Sequence, residues 1–176
     1  KRSANSSSLI KQYCLMIIRN CCIMDISFEG RMNMKQRRFG KTNFMVSEIS
    51  LGTWQLGSRW GDPFDKEVAI NTLKGASNVG INCFDTADVY IGGTSESTIG
   101  EYLKTVKEKP FVITKVGRYL DPHTAAGYNE PNIRKYVNES IVRLGVDSLD
   151  MVLLHCPPTD VYYNPVVFEL MDRLKK

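Results

Sequence analysis

Three apolar runs in this sequence each stop at a side chain able to take part in chemistry. Ile81-Asn82-Cys83-Phe84 stops at Asp85, Phe111-Val112-Ile113-Thr114 at Lys115, and Met151-Val152-Leu153-Leu154 at His155. Tyr90 follows Asp85 in the loop that leaves the same run. If the runs are parallel strands of one sheet, all four groups reach one C-terminal rim, the edge where parallel α/β folds build their sites. Singly, each has an ordinary reading: a turn aspartate, a lysine reaching solvent, a hydrogen-bonded structural histidine, a packing tyrosine. Together they point to proton donation by a phenol. Free tyrosine titrates near about pH 10, too high for an efficient donor at neutral pH. A neighbouring ammonium favours the phenolate, and a carboxylate keeps that ammonium from being buried alone. The imidazole can hydrogen-bond the oxygen of a substrate carbonyl. The set suits carbonyl reduction, with Tyr90 giving the proton to oxygen while a hydride reaches carbon from a bound cofactor.

The elements that must position these groups are legible from residue 35 onward. Lys35 to Phe39 and Phe44 to Val46 flank the turn-prone Gly40-Lys41-Thr42-Asn43 and predict a β-hairpin. Strands follow at Glu48 to Leu51, Ile81 to Phe84, Phe111 to Lys115 and Leu149 to His155, apolar on both faces as buried parallel strands are. Between them Asp65 N-caps a helix carrying Ala69, Leu73, Ala76 and Val79 on one side, with Gly80 beyond its end. Ser95 is expected to cap a second helix with Ile99, Leu103 and Val106 inward. Asn129 or Glu130 opens a third before Pro131, with Ile133, Val137, Ile141 and Leu144 at helical spacing up to Gly145. A fourth starts near Val166. The order is a hairpin and then four βα units, which fits right-handed crossovers and a parallel sheet. Pattern alone leaves open whether the sheet is doubly wound or part of an eight-fold barrel.

The 176 residues have 43% hydrophobic and 24% charged side chains, the balance of an ordinary globular protein, which excludes a disordered or collagen-like chain. Residues 1–33 hold five basic and two acidic side chains, leaving 18 against 17 for residues 34–176. The body is thus near neutral and demands neither nucleic acid nor a membrane surface as partner. Five cysteines at scattered spacing make no disulfide framework, so a cytoplasmic compartment is expected. With two histidines and no CxxC pair, no metal site is expected. Residues 1–33 read unlike the remainder and are expected to be an appendage, poorly ordered, with Met34 as the natural start; the rival reading is an extension that packs as a helix.

Phe84-Asp85-Thr86-Ala87-Asp88-Val89-Tyr90, followed by Gly92-Gly93 and Ser95-Glu96, resembles the second-strand signature of the aldo-keto reductases. So do Ile49-Ser50-Leu51-Gly52-Thr53-Trp54-Gln55-Leu56-Gly57, Val112-Ile113-Thr114-Lys115 and Val152-Leu153-Leu154-His155. The resemblance covers Arg37 to Lys176. It implies a parallel (β/α)8 TIM-type barrel closed below by the hairpin, of which residues 34–176 supply about the first four units. It also implies NADPH as cofactor, with no metal, and an aldehyde or ketone as the small-molecule substrate. Position by position it assigns Asp85, Tyr90 as general acid, Lys115 to tune it and His155 to orient the carbonyl. Gly52, Thr53, Trp54 and Asp85 are placed beside the nicotinamide. One departure is Ile91-Gly92-Gly93-Thr94, where relatives more often place glycine directly after the tyrosine; it concerns the loop rather than the four catalytic positions. The larger departure is length, since barrel phosphate sites lie in the loops after strands seven and eight. The chain is therefore expected to be truncated, to bind NADPH weakly and turn over little, and to expose sheet edges that invite self-association.

Rival readings fare worse or stay open. Gly40-Lys41-Thr42 imitates the end of a phosphate loop, but Lys35 stands where the first glycine is required. Asn5-Ser6-Ser7 and Asn138-Glu139-Ser140 match a glycosylation pattern, but with no secretory route expected they are read as chance matches. Cys156 neighbours His155, but adjacent strand residues face opposite ways. A partner-binding relative without catalysis, of the potassium-channel β-subunit kind, is the alternative to a reductase.

Overall fold

The computed structural model describes residues 34–59 and 61–175; the expectation for residues 1–33 lies outside them. Strands β1 (Gln36–Arg38) and β2 (Met45–Ser47) form the expected antiparallel hairpin, with Arg37 opposite Val46. Its turn closes through Phe39 N–H to Phe44 C=O (2.9 Å) and the Thr42 hydroxyl to Phe39 C=O (2.6 Å). The hairpin sits at the N-terminal end of the next strands. Phe39 and Phe44 stack on Phe111 with ring centroids 5.3 and 4.7 Å away, and the Asn82 side chain accepts from Ser47 N–H and donates to Met45 C=O.

The main sheet is parallel throughout, in the order β3 (Leu51–Gly52), β4 (Cys83–Asp85), β5 (Phe111–Val116), β6 (Met151–Leu154). Its register places Gly52 beside Asp85, Asp85 beside Ile113, and Lys115 beside Leu153. Helices α1 (Lys66–Asn78), α2 (Thr94–Leu103), α3 (Glu130–Leu144) and α4 (Pro165–Leu174) alternate with these strands. This is the first part of a TIM-type barrel, built as right-handed βα crossovers demand.

Helix starts follow their caps. The Asp65 carboxylate accepts from Val68 N–H at 3.0 Å, the Asn129 amide oxygen from Asn132 N–H at 3.2 Å, and the Asn164 oxygen from Val166 N–H at 3.1 Å. The second helix corrects the sequence reading: α2 starts at Thr94 after Gly93, which has φ +88° and no side chain to cap with. Ser95 lies inside that helix and is fully buried, its hydroxyl turned to Thr53 and Thr86. The fourth helix begins one residue before the expected Val166, with proline in its first turn.

Strand ends also moved, for local reasons. β3 begins only at Leu51 because the Ser47 hydroxyl bonds Ile49 C=O (2.6 Å) and turns the chain out of the hairpin. β4 begins at Cys83, since Asn82 is spent on the hairpin. β6 omits Leu149 and Asp150, whose carboxylate instead accepts from Val112 N–H at 2.9 Å. It stops at Leu154, just short of His155, while β5 runs one residue past Lys115.

Between sheet and helices lies a core of Leu73, Phe84, Ile99, Val112 and Leu144, joined along the later units by Val116, Ile133, Val161, Val167 and Leu170. Each fully buried large side chain contributes roughly 1.5–3 kcal/mol relative to exposure. Packing of α2 on α3 depends on Gly100: a Cβ there would come within 2.6 Å of Arg143 C=O and 2.7 Å of Leu144 C=O. Leu153 on β6 is 40% exposed, so that strand is less enclosed than a central one.

Candidate active site

Asp85 is the last residue of β4, Lys115 the last but one of β5, and His155 the first after β6. Strand alternation sends Thr114 into the wall beneath the helices and Lys115 to the opposite face. The Lys115 side chain is 15% exposed and that of Asp85 35%. An ammonium has three protons to donate, and here three acceptors take them: the Asp85 carboxylate, Thr86 C=O at 2.8 Å and the Tyr90 hydroxyl at 3.2 Å. The ammonium also stands 4.9 Å from the Tyr90 ring centroid. Lysine is otherwise a flexible side chain; saturating its donors pins it.

Tyr90 opens a 3-10 turn, Tyr90–Gly93, in which Ile91 (φ +51°), Gly92 (φ +60°) and Gly93 (φ +88°) are successively left-handed. Ile91 is thus a β-branched residue held where glycine is at ease. The His155 ring meets the Tyr90 ring edge-on, 84° between planes and 5.8 Å between centroids. His155 N–H donates to Val116 C=O at 2.8 Å, extending the tie to β5 by one residue. Burial first, then the charges of Lys115 and Arg118, hold the imidazole below its usual range, so it is neutral at pH 7. Its Nδ1 is buried and makes no hydrogen bond among the described residues.

The structure therefore gathers Asp85, Tyr90, Lys115 and His155 at one strand mouth. Gly52 and Trp54 lie on the same rim. Trp54 is 56% exposed, and a Cβ on Gly52 would meet nothing within 4 Å, so the β3 end presents an open surface. Thr53 is different. It is buried, its N–H and hydroxyl both donate to Asp85 C=O at 2.9 Å, and its hydroxyl oxygen accepts from Ser95 at 2.9 Å. Its side chain braces Asp85 from behind rather than facing the mouth.

Behind the four groups is a buried polar wall that sequence reasoning did not single out. Thr86 and Ser95 hydroxyls lie 2.9 Å apart. The Thr114 hydroxyl donates to Glu96 at 2.5 Å, and Arg143 Nε donates to the other Glu96 oxygen at 2.6 Å. The available signal was Ser95, Glu96 and Thr98, polar residues at positions of α2 that face inward. Tyr128 is a second omission: its hydroxyl contacts His123 Nε2 at 2.9 Å and donates to His155 C=O at 3.4 Å. Burial pushes that phenol up to about 12, so it stays protonated.

The profile of the Aldo/keto reductase family matches residues 48–176. The chain belongs to that family. It is 31% identical over 147 residues to the NADH-specific methylglyoxal reductase of Escherichia coli, a match covering 76% of this chain and 45% of the relative. It is 36% identical over 144 residues to the L-galactose dehydrogenase of Arabidopsis thaliana, covering 80% and 43%. An aldo-keto reductase of Klebsiella pneumoniae solved in complex with NADPH superposes with a TM-score of 0.63 at 26% identity, over 81% of this chain and 46% of that one. The chain thus spans about half the length of the aldo-keto reductases it matches. No helix among the described residues is long and apolar enough to cross a membrane.

Proposed function

We propose that these residues are the proton-transfer side of an NADPH-dependent reductase converting a small aldehyde or ketone to its alcohol. The observation that carries the reading is the Lys115 ammonium held 3.2 Å from the Tyr90 hydroxyl while its other donors are fixed by Asp85 and Thr86. Tyr90 gives its proton to the carbonyl oxygen, and the ammonium offsets the charge left on the phenol oxygen. Asp85 pairs with the ammonium and keeps it in place. His155, neutral and edge-on to Tyr90, orients the carbonyl oxygen toward the phenol.

The open surface at Gly52 and Trp54, beside the Asp85–Lys115 pair, fits the flat nicotinamide end of the cofactor. When bound, the reduced nicotinamide supplies the hydride to the carbonyl carbon. NADPH rather than NADH is favoured by the solved Klebsiella relative, while the Escherichia coli relative is named for NADH. The scattered cysteines favour the cytoplasm.

The test joins this chain to the remaining barrel units of a solved relative and follows aldehyde-dependent oxidation of NADPH and of NADH. Turnover is the expected result. Absence of turnover from a folded, cofactor-binding barrel would refute the reductase reading.

A further inference from the structure

We propose that Asp88 is a positioning residue: its carboxyl, enclosed beneath the turn that carries Tyr90, sets the spacing between that turn and the end of β5, and with it the approach of the Tyr90 phenol to the Lys115 ammonium. Asp88 is completely buried, and neither carboxyl oxygen makes a hydrogen bond of ordinary geometry among the described residues. Buried polar groups are nearly always paired, so a bare carboxyl within two residues of a reacting group calls for an explanation.

Its surroundings supply one. The Asp88 N–H donates to Lys115 C=O at 3.0 Å, so its backbone already holds β5 at the reacting lysine. Its carboxyl lies near the amides of Val89, in the Tyr90 turn, and of Gly117, where β5 exits. That exit is tight: Gly117 has φ +105°, and a Cβ on it would come within 2.8 Å of the Tyr128 ring. Asp88 therefore holds the β5 exit by its main chain at 115 and sets its carboxyl close to the Gly117 amide on the other side of Val116.

The charged and titratable neighbours are Glu96 from α2, Arg143 and Tyr136 from α3, and Tyr128 from the loop after β5. Arg143 is already engaged by Glu96 at 2.6 Å, so its charge is shared. Burial, then repulsion by Glu96, push the Asp88 carboxyl up to about 6, against the pull of the Val89 amide, Arg143 and the Gly117 amide. Ionised, the carboxyl is drawn to the two amides and away from Glu96; protonated, it loses both biases. The two states hold the Tyr90 turn differently against β5.

This inference rests on reading Tyr90 and Lys115 as the reacting pair, but its test needs neither cofactor nor turnover. In the full chain, the 13Cγ resonance of Asp88, the backbone amides of Val89, Tyr90 and Gly117, and the 13Cζ resonance of Tyr90 are followed by NMR from acid to neutral pH. All are expected to move with one midpoint, between about 5 and 7. In Asp88→Asn, which keeps the shape without the charge, the amide and Tyr90 transitions are expected to vanish. A stationary Tyr90, a Tyr90 midpoint different from that of Asp88, or the same transition persisting in Asp88→Asn would each overturn the proposal. Should the variant not fold, the shared midpoint in the unmodified chain decides alone.

Discussion

Lys115 and Asp88 show the same physics with opposite outcomes: one buried charge has every donor satisfied, the other has its acceptors nearly bare. Replacing Lys115 by Met in the completed barrel removes the charge beside the phenol and leaves Asp85 unpaired. A fall in kcat of about 100-fold is expected, with KM little changed, because the interaction is made with the reacting group rather than with bound substrate. Steady-state kinetics check it. For Asp88 the sign follows from linkage. Its folded value, about 6, lies above the 3.8 of an ordinary aspartate, so the folded state keeps a proton that the unfolded chain releases. The group therefore stabilises below about pH 4 and that contribution is lost as pH rises through about 6. Asp88→Asn escapes the loss and should gain on the unmodified chain by roughly 2–3 kcal/mol between about pH 4 and 7. Urea midpoints at the two pH values measure it; a difference independent of pH would contradict it. Asp85, Lys115 and His155 were legible in the sequence because each interrupts an apolar run at its end. Asp88 was not, because an aspartate in a loop carries no mark of whether its carboxyl faces water or the helices.

At the level of elements, caps were legible where the capping side chain has no competing use. Asp65 and Asn129 both bond the amides of their own first turns, and Asn164, which the sequence reading passed over, does the same for the fourth helix. Ser95 has the same local credentials but is drawn into the wall by Thr53 and Thr86, and the left-handed Gly93 starts the helix instead. Strand centres were visible from apolar runs, whereas their ends were set by side chains reaching across the fold: Asn82 to the hairpin and Asp150 to Val112. The Glu96–Arg143 pair joins α2 to α3 behind Thr114, and Gly100 lets the two helices approach. Gly100→Ala should force them apart and cost about 1–3 kcal/mol, seen as a lower thermal midpoint. An unchanged midpoint would mean the helix contact is looser than described.

Among the described residues, β3 and β6 are the outer strands of the parallel sheet, and Leu153, Val166 and Phe168 are exposed along the β6 and α4 side. Open strand edges beside apolar surface recruit further strands. Light scattering on the isolated chain should show association that grows with concentration; a monomer at every concentration would contradict this. On the proposed reading the described residues hold the proton-transfer groups and the nicotinamide rim, while barrel phosphate sites belong to the loops after strands seven and eight. Micromolar NADPH should accordingly leave the fluorescence of the isolated chain unquenched, and clear quenching would show a phosphate grip within these residues. The central claim, that the Tyr90 phenol delivers the proton, is tested most directly by Tyr90→Phe in the completed barrel. The substitution should lower carbonyl reduction by about 100-fold or more while cofactor affinity stays the same. Reduction at the unmodified rate would place the proton donor elsewhere.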